Sequence, residues 1–216
     1  MSSLNKVTLP LVLSPALALA SLSAQAADEI VSGAWQKYDL AFTYSGFTTK
    51  YSCDGLADKM KLLLRAAGAR PDLKVNSYAC SSGLGEPTEF PRVRMKFFAL
   101  VPGSPAEAAA AASKLKVYGK QLGTDSPQAA AKSAPEVPEA GVGRWRPVKI
   151  ARGSPRDLAP GDCELVEQFR DKLLPHFTVR NVEDQTRCVP NQLSGSSISL
   201  QFETLDALPN ADMPRK

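Results

Sequence analysis

Histidine is nearly absent from this chain: His176 is the only one among 216 residues. None of the four cysteines stands in a Cys-x2-Cys pair. The two shortages together speak against a zinc site, which draws on close cysteine pairs with histidines nearby. They also speak against a redox dithiol, which needs a resolving cysteine two residues along. A Ser-His-Asp hydrolase would need His176 as its base, yet there is no Gly-x-Ser-x-Gly turn and no spare cysteine for a Cys-His pair. Beside Pro175 and Phe177, His176 is expected to close the end of a helix. No catalytic, metal or cofactor residue is therefore assigned.

Charge of one sign is also scarce. The chain has 26 basic against 22 acidic residues, a formal net charge of +4, whereas nucleic-acid binding normally shows as a concentrated basic excess. After residue 26 no apolar run is long enough to span a bilayer.

The first 26 residues read as a secretory signal peptide. A short basic start ends at Lys6, the uncharged run "VTLPLVLSPALALASLSA" follows, and Ala24-Gln25-Ala26 form a small-x-small cleavage site ahead of Ala27. Pro10 and Pro15 interrupt the run, which disfavours a membrane anchor. The expected setting is periplasmic or extracellular. All four cysteines follow the cleavage site, and an even number in an oxidising compartment predicts disulfides.

One constant offset of 110 positions aligns Trp35 with Trp145, Tyr38 with Val148, Leu40 with Ile150, Cys53 with Cys163, Leu56 with Val166, and Leu63-Leu64 with Leu173-Leu174. Trp and Cys are rare, so their shared spacing predicts an internal duplication. In the first half Tyr38, Leu40, Phe42 and Tyr44 alternate as in a half-buried strand. Cys53, Leu56, Met60, Leu63 and Leu64 then follow helical spacing, with Ser52 or Asp54 to cap and Gly68 to stop. In the second half Asp162 is expected to cap the equivalent helix. Each helix leads to a strand, a second cysteine (Cys80, Cys188), a turn-rich loop and an alternating strand.

The expected fold is α+β: two duplicated β-α-β-β units, each with an antiparallel or mixed sheet covered by one helix and clamped by one disulfide. The two sheets are either continuous or packed as lobes. The boundaries are a signal peptide at 1–26, units at 27–101 and 144–206, an Ala/Pro-rich linker at 102–143 with a short helix within 105–122, and a loose tail at 207–216.

This element order constrains the cysteines. In a right-handed β-α-β crossover the helix N-terminus returns level with the C-terminal end of the following strand. A helix of about 14 residues rises roughly 21 Å, and six or seven strand residues cover about the same height. The pairing predicted from this is Cys53–Cys80 and Cys163–Cys188.

Asp58, Glu164, Glu167 and Asp171 are expected on solvated helix faces, with no specific sign of a two-carboxylate hydrolase. Arg92, Arg94 and Lys96 alternate along one strand, and Arg144, Arg146 and Lys149, with Arg152 and Arg156, bracket Trp145. The functional reading is a docking surface for an anionic ligand. The structural alternative is protection of an exposed sheet edge by cations.

The segments "GFTTKYSCDGLADKMKLLL", "GDCELVEQFRDKLLP" and "NQLSGSSISLQF" resemble uncharacterised exported proteins of proteobacteria. That resemblance implies an envelope or periplasmic setting and adds no site residue. The expected function is that of a non-enzymatic binding or assembly protein, its partner another envelope protein or an anionic surface. The alternatives are a periplasmic hydrolase using carboxylates, or a binder of anionic polymer or lipid head groups.

Overall fold

The computed structural model describes residues 29–79, 86–107 and 138–208. Chain order within them is β1 (Ile30–Thr43), α1 (Cys53–Ala66), β2 (Lys74–Ser77), β3 (Arg92–Pro102), β4 (Ala140–Ala151), α2 (Cys163–Lys172), β5 (Val179–Asp184) and β6 (Ser199–Ala207). Single 3-10 turns occupy Pro160–Asp162 and Leu174–His176. All six strands form one antiparallel sheet in the order β2-β3-β1-β4-β6-β5. Of the two arrangements left open by the sequence, the continuous sheet is the one adopted.

β1 begins well ahead of the alternation at Tyr38 because Ile30–Ala34 pairs with Ala140–Arg144 of β4. That pairing also draws residues 140–143 into a strand, although they were expected in the linker. The signal peptide, Cys80, most of the 105–122 helix and the tail beyond Leu208 lie outside the described residues.

α1 starts where Ser52 Oγ accepts from the Gly55 N–H at 3.1 Å. It stops at Gly68, whose φ of +98° suits a residue without Cβ. Its buried stripe of Leu56, Met60, Leu63 and Leu64 joins Phe42, Met95 and Phe97 in one core cluster. The same cluster holds Val166 and Phe169 of α2 with Ile150, Leu200 and Phe202 of the other half. Both helices therefore cover the same sheet face and share one core. The expected capping of α2 by Asp162 is not seen: its side chain makes no cap hydrogen bond. The 3-10 turn runs straight into the helix and frees that carboxylate for other partners.

Cys163 and Cys188 are bridged, with Cα atoms 5.5 Å apart. Cys53 is also disulfide-bonded. Replacing Cys163 and Cys188 together by Ser is expected to cost about 3 kcal/mol through the longer-lived freedom of the unfolded loop, read as a lowered urea midpoint.

The second face carries a smaller apolar cluster of Trp35, Leu100 and Leu205, with Val31, Phe98 and Trp145 packed against it. Leu100 lies across a glycine-paved strip. A Cβ at Gly143 would sit 2.5 Å from Leu100 Cδ2 and 2.9 Å from the Asp206 carbonyl oxygen. Because one obstacle is backbone, Gly143→Ala is expected to destabilise the protein by about 1–3 kcal/mol, measurable by chemical denaturation.

Candidate functional site

Two constellations invite a functional reading: a pair of buried carboxylates under the loop after β1, and the sheet face that is helix-free among the described residues.

Glu164, expected on a solvated helix face, is only 8% exposed. The loop after β1 folds over it: Glu164 Oε2 accepts from the Phe47 N–H at 2.9 Å, the Thr48 N–H at 2.8 Å and the Tyr44 hydroxyl at 3.4 Å. Sequence periodicity within α2 carries no trace of that burial, since the covering loop comes from more than a hundred residues upstream. Asp162 is 2% exposed. Its Oδ1 accepts from the Tyr51 hydroxyl, and its Oδ2 accepts from Lys59 Nζ at 2.9 Å and from the Ala159 N–H at 2.7 Å. Two buried acids side by side would suit hydrolytic chemistry if they faced a cleft. Here donors from loop, helix and side chains converge on both oxygens of Asp162 and on Oε2 of Glu164, and neither residue lines a described cavity. The network joins the halves. Asp58 and Asp171 are exposed as expected, and burial raises the Glu167 pKa.

His176 packs against Tyr38 with ring centroids 5.1 Å apart and the planes tilted by 58°, and burial lowers its pKa. It lines a shallow groove of about 370 Å³ with Leu40, Ala41, Phe42, Thr43, Lys172 and Leu173.

The helix-free face gathers Arg92, Arg94, Lys96 and Lys149 of the sequence-predicted cations. β3 lies between β2 and β1, so edge protection does not account for Arg92, Arg94 and Lys96. All three project from the side opposite Val93, Met95 and Phe97. Arg94 and Lys96 bracket Asp39 at 2.8 and 3.5 Å, and these contacts hold the Asp39 carboxyl below its usual range against the opposing effect of burial, the largest single influence. Lys74 stands opposite Lys96 in register, and Lys37 lies over the Phe98 ring. Lys149 shares Trp145's side of β4, whereas strand alternation sends Arg144 and Arg146 to the helix-covered side. There Arg146 pairs with Asp206 at 2.5 Å and donates to the Ala66 carbonyl at 3.2 Å. The second basic group is thus divided between two faces.

Two stacks escaped the sequence reading. The Arg70 guanidinium lies 5.3 Å from the Trp35 ring centre and 3.8 Å from that of Phe98. The Arg180 guanidinium lies 4.1 Å from the Trp145 ring centre. The signal was present in the sequence, because Arg70 and Arg180 are themselves 110 positions apart.

No family model, curated protein or solved structure matches this chain. Among the described residues no group of three or more His, Cys, Asp or Glu side chains could hold a metal ion, and no helix is long and apolar enough to cross a membrane.

The buried network yields a pH prediction. Burial first, then the neighbouring carboxylates, raise the Tyr44 and Tyr51 pKa values above the ordinary 10.0. The folded state thus keeps protons that the unfolded chain releases. The stabilisation is complete below about pH 10 and is lost as pH rises toward the folded-state pKa values. Urea midpoints are expected to hold from neutral pH to about pH 10 and then fall. Tyr51→Phe should flatten that fall and cost about 1–3 kcal/mol at neutral pH by leaving Asp162 Oδ1 without its donor.

Proposed function

We propose that the chain is an exported, non-enzymatic binding protein of the bacterial envelope whose helix-free sheet face docks an anionic polymer. One observation carries this reading: Lys37, Lys74, Arg92, Arg94, Lys96 and Lys149 share the sheet face that neither described helix covers, where Asp39 is already neutralised by two of them. Six strands at about 4.8 Å spacing make that surface roughly 24 Å wide, which suits a ligand with repeated charges better than a single head group. Export is supported by the Cys163–Cys188 bridge, which belongs to an oxidising compartment. The internal hydrogen bonding of Asp162 through both oxygens and of Glu164 through Oε2 favours binding over carboxylate hydrolysis.

The same reading includes descent from a duplicated β-α-β-β unit with boundaries near 27–101 and 144–206. Its support is the strand order, in which β2-β3-β1 and β4-β6-β5 mirror one another about the β1–β4 junction. The helices begin at Cys53 and Cys163, and the Arg–Trp stacks pair Arg70 with Trp35 and Arg180 with Trp145. A face built from two related halves fits a ligand built from repeats.

The test is retention on immobilised heparin, used as a polyanion probe, across a salt gradient. Reversing Arg92, Arg94 and Lys96 to Glu is expected to weaken binding at least about tenfold near 0.1 M salt, where the screening length is about 10 Å, with the difference vanishing near 1 M. Asp39→Asn should leave retention intact or strengthen it. Retention that ignores salt and the triple reversal would remove the proposal.

A further inference from the structure

β1 runs on for nine residues beyond Ala34, yet its ladder with β4 ends there. On its other side β3 accompanies it from Gly33 to Thr43. Among the described residues no strand pairs with the β4 side of β1 over Asp39–Thr43.

The direction of its peptide groups can be read from the bonds at either end. The Trp35 N–H donates to the Glu139 carbonyl at 2.8 Å, so odd-numbered residues point toward the β4 side; the Tyr44 N–H donates to Pro91 at 3.1 Å, so even-numbered ones point toward β3. Ser45 continues the odd series and is occupied in an unusual way. Its N–H donates to Gln168 Oε1 at 3.2 Å, and its carbonyl accepts from Gln168 Nε2 at 2.8 Å. The side-chain amide of α2 thus stands where a neighbouring strand's peptide group would stand. Between these two ends, no group among the described residues bonds the edge-facing N–H and C=O of Asp39, Ala41 or Thr43.

The space beside that edge is the groove described above, with Lys172, Leu173 and His176 of α2 and its following turn as the far wall. We infer that this groove accepts an extended peptide, which adds to β1 as a strand alongside Asp39–Thr43 and continues the row that Gln168 begins. Main-chain bonds would supply the affinity, as in other cases of strand addition. Alternate side chains of the guest would face Leu40, Phe42 and Leu173, an apolar wall. The charges around the groove select an acidic guest: Lys172 lies 5.5 Å from the Phe42 ring centre on the helix side, and Arg94 and Lys96 outnumber Asp39 on the open side.

The inference rests on the reading of the chain as a binding protein, and the experiment separates the two. The full exported protein is titrated with a short acetylated peptide of alternating valine and glutamate, and with its valine–lysine counterpart, while amide exchange is followed. The glutamate peptide is expected to bind and to slow exchange at Ala41 and Thr43 at least about tenfold, the lysine peptide to bind far less. Ala41→Pro removes one edge N–H at a position where an edge strand tolerates proline, and should weaken peptide binding about tenfold with heparin retention unchanged. Binding that survives Ala41→Pro, or protection appearing elsewhere, overturns the inference. Loss of peptide binding only in the Arg92, Arg94 and Lys96 reversal would keep the basic face and reject the edge. Amides of Ala41 and Thr43 already protected without peptide, in a monomer or a dimer, would mean that the chain or a second copy fills the groove, and would also reject it.

Discussion

A ladder of five residue pairs, Ile30–Ala34 against Ala140–Arg144, is the seam on which the whole sheet depends. A seam that short cannot by itself hold two three-stranded arms in a fixed relation, because twist accumulates between strands and the arms diverge. The helix layer supplies what the seam lacks. α1 ends against the second arm, where Thr204 Oγ1 donates to the Ala67 carbonyl at 2.6 Å. α2 lies against the first, with Phe177 beyond its end stacked on Phe97 at 5.2 Å. α1 packs along β2 and β3 of its own arm and reaches the second arm at its C-terminal end.

That bracing explains why polar groups are buried at all. Asp162 and Glu164 lie where the first arm's loop meets the second arm's helix, and apolar side chains there would pack without fixing a register. Carboxylates with several directed donors specify one arrangement, and each donor left unmatched would be costly. The same geometry leaves the opposite face without a described helix, since both helices are committed to one side; there Leu100 lies over its glycine strip beside Trp35 and Leu205.

The strands, helices and the Cys163–Cys188 bridge were legible because they rest on local period and spacing. Val93, Met95 and Phe97 alternate, Leu56, Met60, Leu63 and Leu64 follow a helical stripe, and the Trp and Cys spacings mark two similar segments. What was illegible depends on contacts between distant residues. Glu164 looks like any surface carboxylate until the loop from Tyr44 to Tyr51 closes over it. Arg144 and Arg146 look continuous with Lys149 until strand alternation separates them. The interior place of β3 depends on β2 adding outside it, and nothing in "PRVRMKFF" announces a neighbour.

The brace also sets the order in which the molecule can mature. Tyr51 and Asp162 are 111 positions apart, and Tyr44 and Glu164 are 120 apart, so the loop after β1 has nothing to close upon until the second helix has been delivered. A chain emerging from its N-terminus during synthesis exposes the apolar surface of its first arm throughout that interval. Folding dominated by such distant contacts is slow. The waiting first arm, with its apolar face not yet covered, is the stage at which the molecule is most open to wrong association.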